Sequence, residues 1–209
     1  MINKDTEIYC SFSSNPGNNG CMFFNNAFEA KNINAIYKSF YSDKILDSLR
    51  AVKSLGIKGF AVSMPFKVEI VQYLEELDST ALSVGAVNTI INDDGYLTGY
   101  NTDYLAAKEV LNECLGVDLY ILGDGGYSLA VQQASKDLGY NPTIITRINW
   151  DSIEYIRSSI IFNCTPVENI KVHNSNKFID CITSTETGKK LSSIQASHQF
   201  KLYTGIKYE

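Results

Sequence analysis

A lysine, an asparagine and an aspartate each stand where a predicted strand or hairpin ends, and together they could move a proton on a hydroxyl group. Lys67 ends the stretch GFAVSMPFK, Asn88 lies in GAVNT, and Asp103 ends GYNTD. In open α/β sheets, ligands bind beyond the carboxyl ends of the strands. A lysine held against a carboxylate can take a proton from a substrate hydroxyl or return it. The alternative is a surface lysine, with Asp103 as the N-cap of the helix that follows.

The turn in ILGDGGYSLA follows a predicted strand and precedes a predicted helix, which is the context of a dinucleotide-binding turn. Gly123, Gly125 and Gly126 would let the backbone approach a pyrophosphate at the helix N-terminus, with Ser128 as an extra donor. Because Ser128 takes the place of the third glycine of G-x-G-x-x-G, the pattern fits a nucleotide site and a plain strand-to-helix turn equally well.

The end of the next strand bears on the choice of cofactor. Thr146 and Arg147 stand there without an acid at the strand tip, and a nearby arginine suits the 2′-phosphate of NADP. Asp124 in the turn and Asp151 after the arginine argue the other way, so NAD stays open. Arg147 is equally typical of a solvated surface cation.

The composition is that of an ordinary globular chain of 209 residues, 44% hydrophobic and 20% charged. A net charge of -5 argues against a general nucleic-acid or membrane-surface binder. Five scattered cysteines without a CxxC pair, and two histidines outside any cluster, predict reduced thiols, a cytoplasmic location and no metal site. The stretch MINKDTEIYC has no apolar h-region and no apolar run approaches membrane-spanning length, so neither a leader nor a membrane span is expected.

Predicted strands and helices alternate along the chain, which indicates an α/β fold with a mostly parallel sheet. Ser42 is the predicted N-cap of one helix and Gly56 its end, while Gly95 turns a hairpin. A helix is also expected over VEIVQYLEEL (68–77). A second run of strand, glycine turn, helix and strand begins after residue 117.

The sequence resembles the shikimate dehydrogenases. The family's V-T-x-P-[FY]-K, G-A-V-N-T and G-x-N-T-D stretches are similar, in that order, to AVSMPFK, GAVNT and GYNTD. The likeness continues through LGDGG, NCTP and QASHQFKLYTG, so it spans almost the whole chain. The N-terminal SFSSNPGNNG is similar to a branch of shikimate 5-dehydrogenase-like proteins.

This resemblance implies reversible reduction of 3-dehydroshikimate to shikimate with NADPH, or oxidation of a relative such as quinate, in the chorismate pathway of aromatic amino acid biosynthesis. Lys67 and Asp103 would be the catalytic pair that handles the hydroxyl proton. Residues at matching positions would contact the substrate: Ser11, Ser13, Ser63, Asn88 and Gln195. Others would contact NADP: Gly123, Gly125, Gly126, Ser128, Thr146, Arg147, Cys164 and Thr165.

Two departures from the family pattern accompany the resemblance. Ala61 stands where the family has an asparagine that touches the substrate, and the cofactor region is shortened after the glycine turn. The predicted fold is therefore an α/β protein with a mostly parallel N-terminal substrate domain and a reduced Rossmann-like domain. We expect the substrate domain over 1–103, the NADP domain over 104–190, and a C-terminal helix at 191–209 that packs back on the first domain.

Three functions are compatible with these residues. The first is an NADP-linked dehydrogenase for shikimate or quinate, acting as a monomer or homodimer on a small hydroxy acid. The second is a non-catalytic or regulatory protein that binds a shikimate-like ligand on the same scaffold but holds the cofactor poorly, because Asp124 places a negative charge in the turn. The third is a dehydrogenase for another hydroxy acid, for which Ala61 leaves room.

Overall fold

The computed structural model describes residues 2–114 and 116–208. They divide into two compact units, one formed by residues up to Thr102 together with those from Ala196 onward, the other by Asp103–Gln195. Each unit has a sheet with parallel strand pairs, and the second sheet is the smaller. The predicted α/β fold class is confirmed. Within the described ranges, no helix has both the length and the apolar character to cross a membrane.

The sheet of the first unit has six strands in the order β2-β1-β3-β5-β6-β4. These strands are β1 (Glu7–Ser13), β2 (Ala35–Tyr41), β3 (Gly59–Val62), β4 (Glu76–Leu77), β5 (Thr89–Asp93) and β6 (Tyr96–Tyr100). Strand β1 is parallel to β2 and β3, whereas β5 is antiparallel to β3. The start of β5 therefore lies at the same edge as the carboxyl ends of β1 and β3.

Four helices connect these strands: α1 (Asn19–Ala30), α2 (Ile45–Leu55), α3 (Phe66–Glu69) and α4 (Ser79–Val84). The predicted end of α2 at Gly56 is confirmed, since this residue is the C-cap with φ +62°. The predicted N-cap, Ser42, is wrong, because the N-cap residue is Lys44. The Ser42 hydroxyl instead lies 2.8 Å from the hydroxyl of Ser48, one turn into the helix, and both are buried.

The helix predicted over 68–77 is only partly correct, because helical turns end at Tyr73 and the last residues form a strand. The structure has the short α3, a 3₁₀ helix over Ile70–Tyr73, and then β4, which pairs with β6. The backbone N–H of Glu75 donates to the carbonyl of Leu97, and its carboxylate accepts from the N–H of Leu97 at 2.8 Å. Sheet pairing with a distant strand thus overrides the local helical pattern.

An aromatic cluster forms one of the cores of the first unit. Its members are buried side chains from β1, α1, β2 and the last helix: Tyr9, Phe24, Phe28, Tyr37, Phe200 and Tyr203. The rings of Phe24 and Tyr37 stack with centroids 4.4 Å apart. Gly59 allows the close approach of Tyr203, because a Cβ at that position would lie 2.7 Å from its ring. Among the described residues, the buried hydroxyl of Tyr203 has no hydrogen-bond partner.

The outer edge of β2 is paired with side chains of α1 rather than with another strand. Asn25 Oδ1 accepts from the N–H of Tyr37 at 2.8 Å, and Asn25 Nδ2 donates to the carbonyl of the same residue at 2.9 Å. Cys21 Sγ lies 3.3 Å from the backbone nitrogen of Ser39 and accepts from it. The carboxamide of Asn25 therefore occupies the place of a neighbouring peptide group.

The second unit has a four-stranded parallel sheet in the order β10-β9-β7-β8. Its strands are β7 (Leu119–Leu122), β8 (Thr143–Ile145), β9 (Ile160–Asn163) and β10 (Lys177–Asp180). The helices are α5 (Thr102–Asn112), α6 (Gly126–Asp137) and α7 (Glu186–Thr204), the first and last of which continue across the unit boundaries. Only a 3₁₀ helix, Trp150–Tyr155, connects β8 to β9.

Candidate functional site

Three of the predicted site residues of the first unit, one catalytic and two substrate-binding, lie where β1, β3 and the start of β5 meet. The N–H of Ser63 donates to the carbonyl of Phe12 in β1 at 3.1 Å. The carbonyl of Lys67 accepts from the N–H of Val87 at 2.8 Å, which places α3 beside the residue that precedes Asn88. Ser63, Lys67 and Asn88 are therefore brought to one edge of the sheet, where an α/β protein binds ligands.

The carboxamide of Asn88 is held by buried neighbours. Its Oδ1 accepts from the hydroxyl of Thr89 at 2.8 Å and from the backbone N–H of Thr102 at 2.9 Å. Its Nδ2 donates to Thr102 Oγ1 at 2.9 Å. Gln199 Nε2, from α7, donates to Thr89 Oγ1 at 2.7 Å. All four residues are at most 4% exposed, so water does not compete for these bonds.

The two N-terminal serines lie on β1, two residues apart, so their side chains leave the same face. Ser11 is half-buried and its hydroxyl donates to Ser39 Oγ at 3.1 Å, whereas Ser13 is buried at the end of the strand. In the register of the sheet, Ser11 pairs with Ala61, and Ala61 pairs with Thr89. The alanine that departs from the family pattern thus stands between two hydroxyl-bearing residues.

The remaining polar candidates differ in burial. Lys67 is half-buried in α3. Asp103 lies in the first turn of α5 and is only 4% exposed. Gln195 is half-buried in α7. Asp103 and Gln195 are the first and last residues of the second unit.

The glycine turn joins β7 to α6, as the sequence predicts. Gly123 has φ +100°, and a Cβ there would lie 2.8 Å from Thr165 Cγ2, so the turn requires glycine at this position. Gly125 is the exposed N-cap of α6, Gly126 is the first residue of the helix, and no atom lies within 4 Å of a Cβ built on Gly125. The buried Ser128 directs its hydroxyl to the carbonyl of Gly123 at 2.6 Å, and so it braces the turn from within.

The turn after β8 is held by local bonds. The N–H of Thr146 donates to Asn149 Oδ1 at 2.7 Å. Arg147 and Asp151 are both exposed, the acid within the 3₁₀ helix. A guanidinium at this exposed strand end could pair with a 2′-phosphate.

The NCTP loop follows β9 and is organised by a buried asparagine. Asn163 Oδ1 accepts from the N–H and the hydroxyl of Thr165, at 2.9 and 2.7 Å, while its Nδ2 donates to Asp180 Oδ1 at 3.0 Å. Cys164, between these two loop residues, is half-buried. The N–H of Cys164 donates to the carbonyl of Leu122 at the end of β7. The loop is thereby fixed next to the glycine turn.

Tyr127, in the first turn of α6, is a neighbour of these residues that sequence reasoning missed. Burial raises its pKa well above the ordinary tyrosine value, and electrostatic interactions with Asp103, Cys164 and Cys181 raise it further. The phenol is therefore neutral at physiological pH. An aromatic residue directly after the two glycines was the available signal.

Other places on the described chain are poorer candidates. A cavity of about 720 Å³ lies at the opposite, amino edge of the second sheet, lined by residues such as Asp118, Tyr120 and Tyr140, and it includes no predicted site residue. Within residues 2–114 and 116–208, no group of three or more His, Cys, Asp or Glu side chains could hold a metal ion. The carboxyl edges of the two sheets are therefore the better candidates for ligand binding.

Residues 20–90 match the family described as the shikimate dehydrogenase substrate binding domain. A shikimate dehydrogenase-like protein of Haemophilus influenzae is 37% identical over 159 residues, covering 75% of this chain and 59% of that protein. A shikimate dehydrogenase (NADP(+)) of Bacillus cereus is 43% identical over 122 residues, covering 55% of this chain and 44% of that protein. The matches span about half the length of these two relatives.

The solved structure of a shikimate 5-dehydrogenase-like protein is similar over the whole chain. It superposes with a TM-score of 0.84 at 29% identity, covering 100% of this chain and 95% of the other. The similarity in three dimensions thus extends beyond the segments that align in sequence with the two relatives.

Proposed function

Because the chain belongs to the shikimate dehydrogenase family, we propose that it is an oxidoreductase that transfers a hydride between NADP and shikimate, or a close relative such as quinate. The observation that carries this proposal is the edge of the first sheet, where Asn88 is held rigidly beside the segment that carries Lys67. A rigid amide next to a lysine is suited to a polyhydroxylated acid, because several ligand oxygens need partners of fixed direction.

The residues of the second unit fit the cofactor. Gly123 has the left-handed backbone that only glycine adopts readily, and Gly125 leaves open space at the N-terminus of α6, where a pyrophosphate is stabilised. Arg147 would face the 2′-phosphate, while Cys164 and Thr165 would lie beside the nicotinamide. NADP, when bound, accepts or supplies the hydride. NAD is the alternative cofactor if Arg147 makes no such contact.

The chain's own groups then account for the proton and for orientation. Lys67 Nζ would move the proton of the reacting hydroxyl, with Asp103 as the second member of the pair. Asn88 would donate to a ring oxygen, and the hydroxyls of Ser11 and Ser13 would bind the substrate carboxylate. Ser63 and Gln195 would complete the substrate contacts.

The direct test mixes the purified protein with shikimate and either NADP or NAD, and follows the absorbance of the reduced nicotinamide. We expect turnover with shikimate or quinate, faster with NADP than with NAD. Absence of turnover with both acids, at high enzyme concentration and with both cofactors, would contradict the proposal.

A second candidate function is a non-catalytic protein that binds a shikimate-like ligand. The observation that favours it is the exposed Asp124, a negative charge placed in the turn that would hold phosphates. A thermal-shift panel separates the two candidates, because a ligand that binds the folded state raises the melting temperature. Stabilisation by shikimate without stabilisation by NADP or NAD would favour the binding protein.

A further inference from the structure

Four buried side chains of the first unit form a chain of hydrogen bonds whose direction is fixed by its two ends. The amide nitrogen of Gln199 can only donate, and it donates to Thr89 Oγ1 at 2.7 Å. The Thr89 hydroxyl gives its own hydrogen to Asn88 Oδ1, 2.8 Å away. From the other side, the backbone N–H of Thr102 donates to the same oxygen at 2.9 Å.

This direction determines which way the carboxamide of Asn88 points. Two donors converge on one atom, so that atom is the oxygen, and the nitrogen occupies the opposite position. Nδ2 gives one of its two hydrogens to Thr102 Oγ1 at 2.9 Å. Its second hydrogen has no acceptor among the residues that the structure describes.

The backbone of Asn88 is held as firmly as its side chain. Its N–H donates to the carbonyl of Tyr100 at 3.1 Å, and its carbonyl accepts from the N–H of Val62 at 3.0 Å. Neither the main chain nor the amide can turn without breaking bonds between groups that are shielded from water.

We propose that Gln199 and Thr89 are positioning residues for the reaction: they lock Asn88 as a hydrogen-bond donor, so that its free N–H meets an oxygen of the substrate that accepts a hydrogen bond. The identity of the substrate rests on the proposed function, whereas the bond chain does not. Gln199 Nε2 also donates to the backbone carbonyl of Asn88 at 3.5 Å, but it reaches the carboxamide only through Thr89 and acts on the ligand indirectly. A site built in this way selects a hydroxy acid with an acceptor oxygen at that ring position over an analogue that lacks it.

The first arm of the test needs no substrate. Side-chain amide signals in an NMR spectrum report hydrogen exchange, and the Asn88 signal is identified by its loss in Asn88→Asp. We expect exchange at Asn88 Nδ2 to become roughly tenfold faster in Thr89→Val, because the lock on the amide is lost. Thr89→Ser, which keeps the hydroxyl, should retain the slow exchange.

The second arm measures steady-state kinetics with shikimate. Thr89→Val should lower kcat/KM about tenfold, which equals about 1.4 kcal/mol, mostly through a higher KM. Gln199→Met should have a smaller effect in the same direction, and Thr89→Ser should restore activity. Ser48→Ala is the matched control, because it removes a buried hydroxyl pair of the same unit outside the chain of bonds and should leave KM unchanged.

The outcomes separate this proposal from the proposed function. Unchanged exchange in both Thr89→Val and Gln199→Met would overturn it, as would faster exchange without any change in KM. If Thr89→Val does not fold, Gln199→Met carries both arms. If the wild-type protein neither turns over nor binds shikimate, that result refutes the proposed substrate, while faster exchange in Thr89→Val would still support the lock on Asn88.

Discussion

The two units hold their candidate ligand-binding residues in different ways. In the first unit, Asn88 is held in part by Thr102, which is 14 residues away in the chain, and Thr89 beside it is bonded to a helix residue 110 positions later. In the second unit, Gly123 and Thr146 are braced by side chains only five and three residues away. The first arrangement depends on the tertiary fold, while the second depends mainly on local turns.

This difference indicates which kinds of substitution would impair each half of the proposed reaction. A site built from distant buried partners resists local motion but is damaged by changes far from the ligand. A turn built from local bonds keeps its shape independently, and its function depends on glycine geometry and exposed charge. The following changes test this contrast, from the largest expected effect to the smallest.

Lys67→Ala tests whether Lys67, in the first unit, transfers the proton. We expect kcat for shikimate oxidation to fall by roughly 10²–10⁴-fold, as for a lost general acid or base, with a smaller change in KM. Lys58→Ala, a half-exposed lysine that lies 3.9 Å from Asp94 in the same unit, is the control and should retain activity. A normal rate in Lys67→Ala would remove this residue from the mechanism.

Gly123→Ala and Gly125→Ala form a matched pair in the second unit. The first should lower the free energy of unfolding by about 1–3 kcal/mol, because alanine is strained at φ +100° and its Cβ would press on Thr165. The second should fold normally, since Gly125 has φ -78° and open space around it. Both should weaken NADP binding in calorimetry. Equal stability of the two variants would show that the turn tolerates a side chain at position 123.

Alkaline pH should weaken the aromatic cluster of the first unit. Burial raises the pKa of Tyr9, Tyr37 and Tyr203 and of the Cys10 thiol. In the unfolded chain these groups lose their protons at ordinary pH values, so the folded state binds more protons and stability falls as pH rises. The midpoint of urea unfolding, followed by circular dichroism, should decrease between about pH 9 and pH 11. A flat profile would contradict this reading of the cluster.

Of these changes, Tyr203→Phe should have the smallest effect, and it should leave stability unchanged or raise it, although it removes a polar group. Its buried hydroxyl has no hydrogen-bond partner among the described residues, so removing it should leave stability unchanged or raise it by about 1 kcal/mol at neutral pH. Tyr9→Phe is the matched change, because that hydroxyl lies 3.0 Å from Glu7 Oε2 and 3.2 Å from the carbonyl oxygen of Tyr203. We expect Tyr9→Phe to lose stability in chemical denaturation, and a larger loss in Tyr203→Phe would reverse the interpretation.

The fold class could be predicted from the sequence because alternation of strands and helices is a local pattern. The errors arose where a distant contact decided the outcome. The segment 68–77 has helical spacing, but its end pairs with β6 as β4. Ser42 is a good capping residue by type, yet its hydroxyl is bonded to Ser48 and the helix begins at Ile45.

Only those candidate site residues that lie in recognisable motifs could be predicted from the sequence. Lys67, Asn88 and the glycine turn stand in short segments whose order is itself informative. Thr89 and Gln199 were missed because their proposed role depends on a contact between residues 110 positions apart. One sequence signal was available, since Gln199 follows Gln195 by four residues and therefore lies on a similar face of α7.

The carboxamide of Asn25 has a consequence for the protein at high concentration. A seven-residue strand at the edge of a sheet is a template on which another chain can assemble, and such edges nucleate fibrils and precipitates. Here one side chain of α1 engages both the N–H and the carbonyl of Tyr37, and Cys21 engages the next outward-facing nitrogen. The colloidal stability of the protein therefore depends on the side chains of Asn25 and Cys21, neither of which is a candidate site residue.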